Sequence, residues 1–170
     1  MRVVIDGVSL RGDNSNTIVM EQMLGAWSQL GLGDDIHLVL REGADIASGA
    51  GITVHRVRLG PVGVAGRLWA QTITIPRVCR SLRADVMLGV LPATSVSTLP
   101  CPRAVLAWDF RYRALPQQYS LPARLIRRLS YAIGFRQADA VACISERTRQ
   151  DLLTYHPKVG QGSAFVAHLG

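Results

Sequence analysis

The sequence predicts a single α/β domain, a mostly parallel sheet with helices on both faces, and three observations carry that expectation. At 170 residues the chain suits one ordinary domain that buries about two thirds of the surface its unfolded form exposes. Seven short apolar runs lack the alternation of a half-exposed sheet and so read as strands buried on both sides. Segments of helical period separate most of them, as strand–helix–strand crossovers require.

Residues 2–5 form the first run, closed by Asp6 and Gly7. A polar loop leads into a helix over 17–30, in which Met20, Met23, Leu24, Trp27 and Leu30 recur at helical spacing, with Asn16 as N-cap and Gly31 as the stop. Strands at 36–40 and 53–59 follow, with room between them for only a short helical turn. A helix over 67–82 turns Leu68, Ile75, Val78, Cys79 and Leu82 inward and must kink or split at Pro76. Strands four and five occupy 86–91 and 104–107. Ser120 and Pro122 start a helix that runs to 137, with Leu125, Ile126, Leu129, Ile133 and Phe135 as its apolar face. A strand at 140–144, a helix over 146–155 capped by Ser145, and a strand at 164–167 complete the alternation. Asp85 and Asp139 occupy matching Ala-Asp steps from helix to strand, a shared turn in which each bonds nearby amides.

Hydrophobic residues at 48% and charged residues at 18% exclude a disordered or fibrous chain. Cys79, Cys101 and Cys143 are odd in number and far apart, which indicates neither a disulfide framework nor a zinc site. The apolar start is broken at Asp6, so no secretory h-region is present, and the expected compartment is the cytoplasm. The net charge of +7 comes from arginine, Lys158 being the only lysine. Between Arg103 and Arg136 seven arginines face one acid, Asp109, which makes that third of the chain electropositive and leaves nucleic acid, anionic lipid and phosphorylated metabolites as partners.

Ligands of open parallel sheets sit beyond the carboxyl ends of the strands, which narrows the search to a few loops. The first holds Gly12, Asn14, Ser15 and Asn16, whose amides suit a phosphate or a sugar hydroxyl; it lacks G-x-G-x-x-G and the P-loop pattern, and an ordinary capped loop accounts for it equally well. The loop after strand five gathers Trp108, Asp109, Arg111 and Arg113. Ring stacking and guanidinium forks there suit a polyhydroxylated or phosphorylated ligand, the alternative being a structural loop in which Asp109 pairs with Arg111 or Arg113. Arg124, Arg127 and Arg128 fall on one helix face, opposite Leu125, Ile126 and Leu129. That face is either solvated or in contact with an anionic membrane or lipid phosphate. His37, His55 and His156 have no metal-ligand spacing and read as packed, so no metal site is expected.

Four stretches, Ala107-Trp-Asp-Phe, Leu115-Pro-Gln-Gln-Tyr, Ala138-Asp followed by an apolar strand and Ser145-Glu-Arg-Thr-Arg-Gln-Asp-Leu152, and Val166-Ala-His-Leu-Gly170, carry a resemblance. In order and spacing they resemble the amino-terminal domain of GT-B fold glycosyltransferases of the family 4 type, and the looser match of the first half extends it over nearly the whole chain. The resemblance implies a Rossmann-like doubly wound domain over residues 1–170, the acceptor side of a two-domain enzyme whose C-terminal donor-binding domain is absent from this chain, so that the chain alone is expected to be inactive. It implies transfer of a sugar, with retention and without a metal, from a nucleotide-diphosphate sugar to an acceptor such as a lipid-linked or cell-envelope glycan at the inner membrane face. Gly12 to Asn16 would then face the phosphates. Asp109 would be the catalytic candidate, with Trp108, Arg111 and Arg113 near the transferred sugar or acceptor and Ser145 with Arg147 on the cleft wall. Two departures stand out: Trp108 replaces the family's histidine, and the first loop lacks a Gly-Gly run. They favour an alternative, a non-catalytic binding or partner domain of a split or degenerate glycosyltransferase. Nucleic-acid binding ranks last, because no RRM, KH or helix-turn-helix pattern is present.

Overall fold

The computed structural model describes residues 1–10, 12, 14–59 and 64–168. The strands are β1 (Arg2–Asp6), β2 (Asp35–Arg41), β3 (Ile52–Val57), β4 (Val86–Gly89), β5 (Arg103–Ala107), β6 (Ala140–Cys143) and β7 (Ala164–Val166). They form one parallel sheet in the order β3-β2-β1-β4-β5-β6-β7. The chain winds out from β1 to β3, then returns and winds the other way from β4 to β7. Because parallel crossovers are right-handed, this reversal moves the helices from one face to the other. Thus α1 (Ser15–Leu30) covers one face, while α2 (Val64–Trp69), α3 (Ile75–Leu82), the single turn α4 (Arg111–Ala114), α5 (Leu121–Gln137) and α6 (Glu146–Tyr155) lie on the opposite one.

The core follows the same division. Val3 and Ile5 of β1 meet Met20 and Leu24 of α1. Their neighbour Val4 points the other way, to Met87 and to Ile75 and Cys79 of α3. Beside it, Val105, Ala107, Val141 and Cys143 pack on Phe110, Tyr131, Phe135 and Leu152. Both faces of β1 are therefore apolar, which is why its sequence does not alternate.

The two Ala-Asp turns do the same work. The Asp85 carboxylate accepts from Arg2 N at 2.6 Å and its own N–H donates to Arg2 O at 2.9 Å; Asp139 does likewise with Arg103, at 2.8 Å in each direction. Each aspartate ties the start of one strand to the neighbouring strand.

Several expectations change. The N-cap of α1 is Asn14 rather than Asn16: its Oδ1 accepts from Thr17 N at 3.0 Å, so the helix starts at Ser15, and the same side chain also takes the Thr17 hydroxyl. The second long helix starts at Val64 and passes through a π-helical segment, Ala70–Thr74, before Pro76. Proline lacks the N–H that would bond Thr72 O four residues back, and Ser97 Oγ donates to that carbonyl instead, at 2.9 Å. Residues 42–51 hold turns but no helix, β3 ends at Val57 and β4 at Gly89.

A further change concerns α5, whose apolar pattern is turned outward. Leu121, Leu125 and Leu129 are 69%, 56% and 66% exposed, and Ile126 and Ile133 are exposed too, whereas Tyr131, Gly134 and Phe135 are buried. Aromatic side chains with larger contact area take the core positions. At 100° per residue, Arg124 and Arg128 lie near the azimuth of Tyr131 and Phe135, and they continue that stripe into the first half of the helix, where Arg124 is half-buried and Arg128 exposed. Only Phe135 of the expected apolar face is inward.

Gly134 is where α5 touches the loop after β4. A Cβ there would lie 1.7 Å from the Pro92 carbonyl oxygen. Gly134→Ala is expected to destabilise the protein by at least about 2 kcal/mol, because backbone rather than a flexible side chain must move. Urea denaturation of the two forms measures it. A second expectation concerns acid. His156 is buried between Phe135 and Phe110, at ring-centroid distances of 4.9 and 5.9 Å. Burial, aided by the Arg113 charge, pushes its pKa down to about 4 from 6.5. The unfolded chain therefore takes up a proton that the folded one refuses, so stability falls as pH drops through 6.5 and is lost progressively to about pH 4, by up to about 3 kcal/mol. Melting curves across this window should show a shallower pH slope for His156→Phe than for the native protein.

Candidate functional site

The sheet reverses direction between β1 and β4, and a cleft opens at that point on the carboxyl edge. Its foundation is the Asp6 carboxylate at the end of β1, which is 1% exposed. Oδ1 accepts from Val8 N at 3.2 Å, and Oδ2 accepts from Gln71 Nε2 at 2.8 Å and Thr94 Oγ1 at 3.1 Å. Gln71 also donates to Ala93 O at 2.9 Å. Burial raises the pKa of Asp6, while these donors and the charge of Arg67 pull it down. One carboxylate thus joins the first loop, the π-helical segment and the loop after β4.

Above this junction lies a cavity of about 290 Å³. Asn16 from the start of α1, Arg67 from α2, Leu91 and Ala93 from the loop after β4, and Ile126 and Arg127 from α5 line it. Arg67 stands four residues before Gln71, one helical turn away, so the Asp6 junction also sets its position. Two guanidiniums beside an apolar wall suit an anionic, polyhydroxylated ligand. Among the described residues lining the cavity there is no carboxylate, histidine or cysteine, so the cleft offers binding groups without an acid–base pair.

Of the residues singled out in the sequence, Asn16 and Arg127 are brought together here. Gly12 is exposed, its neighbours Arg11 and Asp13 lying outside the described residues, as do Leu169 and Gly170. Asn14 is used as the helix cap, and Ser15 is exposed in the first turn of α1. Trp108 is turned away from the cavity: its Nε1 donates to Val90 O at 2.6 Å and its ring packs on the α1-side core. Asp109 is exposed and accepts from Arg111 N at 3.0 Å rather than pairing with a guanidinium. Burial raises the pKa of Tyr131 on the cavity wall, the Arg127 charge works against that, and the Asp109 charge adds to it. Arg111 bonds Gln118. Ser145 caps α6 by accepting from Thr148 N at 3.1 Å, as its sequence position indicates, and Thr148 Oγ1 in turn holds Trp108 O. Arg147 pairs with Asp151 on the surface.

Arg124, Arg127 and Arg128 of α5 do not share one surface. Arg127 faces the cleft, while Arg124 and Arg128 face a separate pocket with Arg113. The pattern of threes and fours placed them within about 100° of each other, and two pockets flank that arc.

His37 and His55, expected merely to pack, bond each other across β2 and β3 at 2.9 Å. Among the described residues no group of three metal-ligating side chains occurs, and no helix is long and apolar enough to cross a membrane.

Asp6, Gln71, Thr94 and Arg67 were not legible as site residues. Asp6 at the end of an apolar strand was the one available signal, since its partners lie 65 and 88 residues away. Gln71→Leu removes the donor shared by Asp6 and Ala93, and should cost about 1–3 kcal/mol. Amide exchange at Ala93 and Thr94 should accelerate more than at β6; uniform acceleration would mean that the junction does not hold this loop in particular.

No family model and no curated protein matches the sequence. Among solved structures, the chain is similar to UDP-GlcNAc 2-epimerase from Methanocaldococcus jannaschii, with a TM-score of 0.65 and 12% identity. The match covers 98% of this chain and 45% of that one, so this chain spans less than half the length of that enzyme. At that identity the likeness is one of fold, and it establishes a Rossmann-like α/β architecture of seven parallel strands.

Proposed function

We propose that the chain is the acceptor-side half of a GT-B type, nucleotide-sugar-dependent glycosyltransferase, acting together with a donor-binding domain. The observation that carries this reading is the cleft at the sheet's reversal point, which has two guanidiniums, an apolar wall and no acid–base pair of its own. A structural neighbour that is more than twice as long and named for a UDP-sugar supports it. Here Arg67, Arg127 and the N-terminal turn of α1 with Ser15 and Asn16 neutralise the diphosphate in place of a metal. Asp109, exposed in the loop after β5, is the carboxylate assigned to the transferred sugar, in a reaction of the retaining class.

The acceptor is assigned to the lipid-linked or cell-envelope glycans, with the protein peripheral at an anionic membrane face. The outward ridge of Leu121, Leu125 and Leu129 supports this, because an interfacial helix buries such a ridge at the headgroup boundary while flanking cations meet lipid phosphates. A second reading, a non-catalytic sugar-binding partner domain, is favoured by Trp108, which fills the place of the family's histidine and is committed to Val90 O.

Calorimetry and product analysis of the polypeptide, with whatever sequence follows residue 170 in its reading frame, decide between these. With UDP-, GDP- or ADP-sugars, release of the free nucleoside diphosphate only when an acceptor is present is the expected result. An isomerised nucleotide sugar would replace transfer with epimerisation, and absence of any uptake would leave the partner-domain reading. Arg67→Gln and Arg127→Gln should each lower kcat/KM by at least about tenfold.

A further inference from the structure

We propose that the outer layer between α4, α5 and α6 holds a second anion site, separate from the cleft and built for a phosphate group. It is a pocket of about 220 Å³ lined by Tyr112, Arg113, Arg124, Arg128 and Tyr155. That space exceeds several times the roughly 30 Å³ that a water molecule occupies in the liquid. The cleft draws on Ile126 and Arg127, on the other flank of α5, so the two sites share a helix but none of the side chains that line them.

Three features point to a ligand. First, the pocket presents three guanidiniums and no carboxylate, and among the described residues none of the three forms an ion pair. Arg124 and Arg128 stand one helical turn apart, where like charges repel, and a third cation faces them; a dianion offsets all three. Second, Arg113 is held in place by aromatic rings, its guanidinium carbon 5.2 Å from the Tyr155 centroid and 5.9 Å from that of Tyr112. Its Nε is buried without an acceptor. Third, Tyr112 is 2% exposed, lines the pocket, and its buried hydroxyl has the Arg113 guanidinium beside it but makes no hydrogen bond of normal geometry. Burial raises the pKa of that phenol above its ordinary value, so it stays a neutral donor. Two or three guanidinium forks and one phenolic O–H form a donor set that matches the tetrahedral oxygens of a phosphomonoester or phosphodiester.

The proposal does not depend on sugar transfer. Its test is thermal-shift and calorimetric titration of the native chain with inorganic phosphate and with glycerol phosphate, alongside flotation with phosphatidylcholine vesicles with and without phosphatidylglycerol. Saturable binding is expected, weakened at least about tenfold in the Arg124→Gln/Arg128→Gln double variant and in Arg113→Gln. Tyr112→Phe, which conserves volume, should weaken it about fivefold without lowering Tm. Arg136→Gln, on the same helix but outside the pocket, should leave binding unchanged. If vesicles float the protein through the same three arginines, the phosphate belongs to a lipid headgroup; if only the soluble ions compete, it belongs to a soluble phosphoester, and both outcomes support the pocket. Absence of saturable binding, or equal weakening by Arg136→Gln, would overturn it in favour of diffuse charge. Nucleotide-sugar uptake is read in a separate titration, so either reading can fail while the other stands.

Discussion

A carboxylate without water is costly unless hydrogen-bond donors replace it, and Asp6 sits buried at the point from which the whole sheet unwinds in two directions. Its three donors come from the first loop, the π-helical segment and the loop after β4, and none of these segments is packed to its neighbours by apolar contact alone. The cleft depends on the donors that this junction brings together. Arg67 stands where it does because Gln71 is pinned one turn further on, and Ala93 lines the cavity because its carbonyl is held by the same amide.

The π-helical segment belongs to the same logic. An ordinary α-helical turn before Pro76 leaves a carbonyl without a donor and crowds the proline ring; the wider turn relieves the crowding, and Ser97 supplies the missing proton. Widening also turns Gln71 into the interior, where its side chain reaches two acceptors in different loops. Irregularity in the helix and polarity in the core thus have one origin, a proline whose consequences are met by residues from two other parts of the chain.

Much of the architecture was legible because strands buried on both faces leave unbroken apolar runs, and β1, β5 and β6 are read almost to the residue. Ser145 was legible because a cap is a local event, settled within three residues. Asn14 and Asn16 show the limit of that argument: both are good caps, and only the position of the Thr17 N–H chooses between them. The orientation of α5 was not legible, because periodicity finds a stripe without saying which way it faces. A leucine stripe and an aromatic stripe competed, and the aromatic one matched the space above β5 and β6. For the site, Asn16 and Arg127 were visible as polar groups near strand ends, while Arg67 and Gln71 were not, since their meaning arises from contacts with residues far away in sequence.

The close approach of Gly134 to Pro92 has a mechanical side. With no side chain between them, α5 rests on the loop after β4 as a lever rests on a pin, near the end of the helix furthest from its leucines. Both the cleft wall and the arginine-lined pocket ride on the longer arm. At that pin the α5 backbone meets Pro92 directly, one residue before Ala93 on the cleft wall, with no adjustable side chain in between.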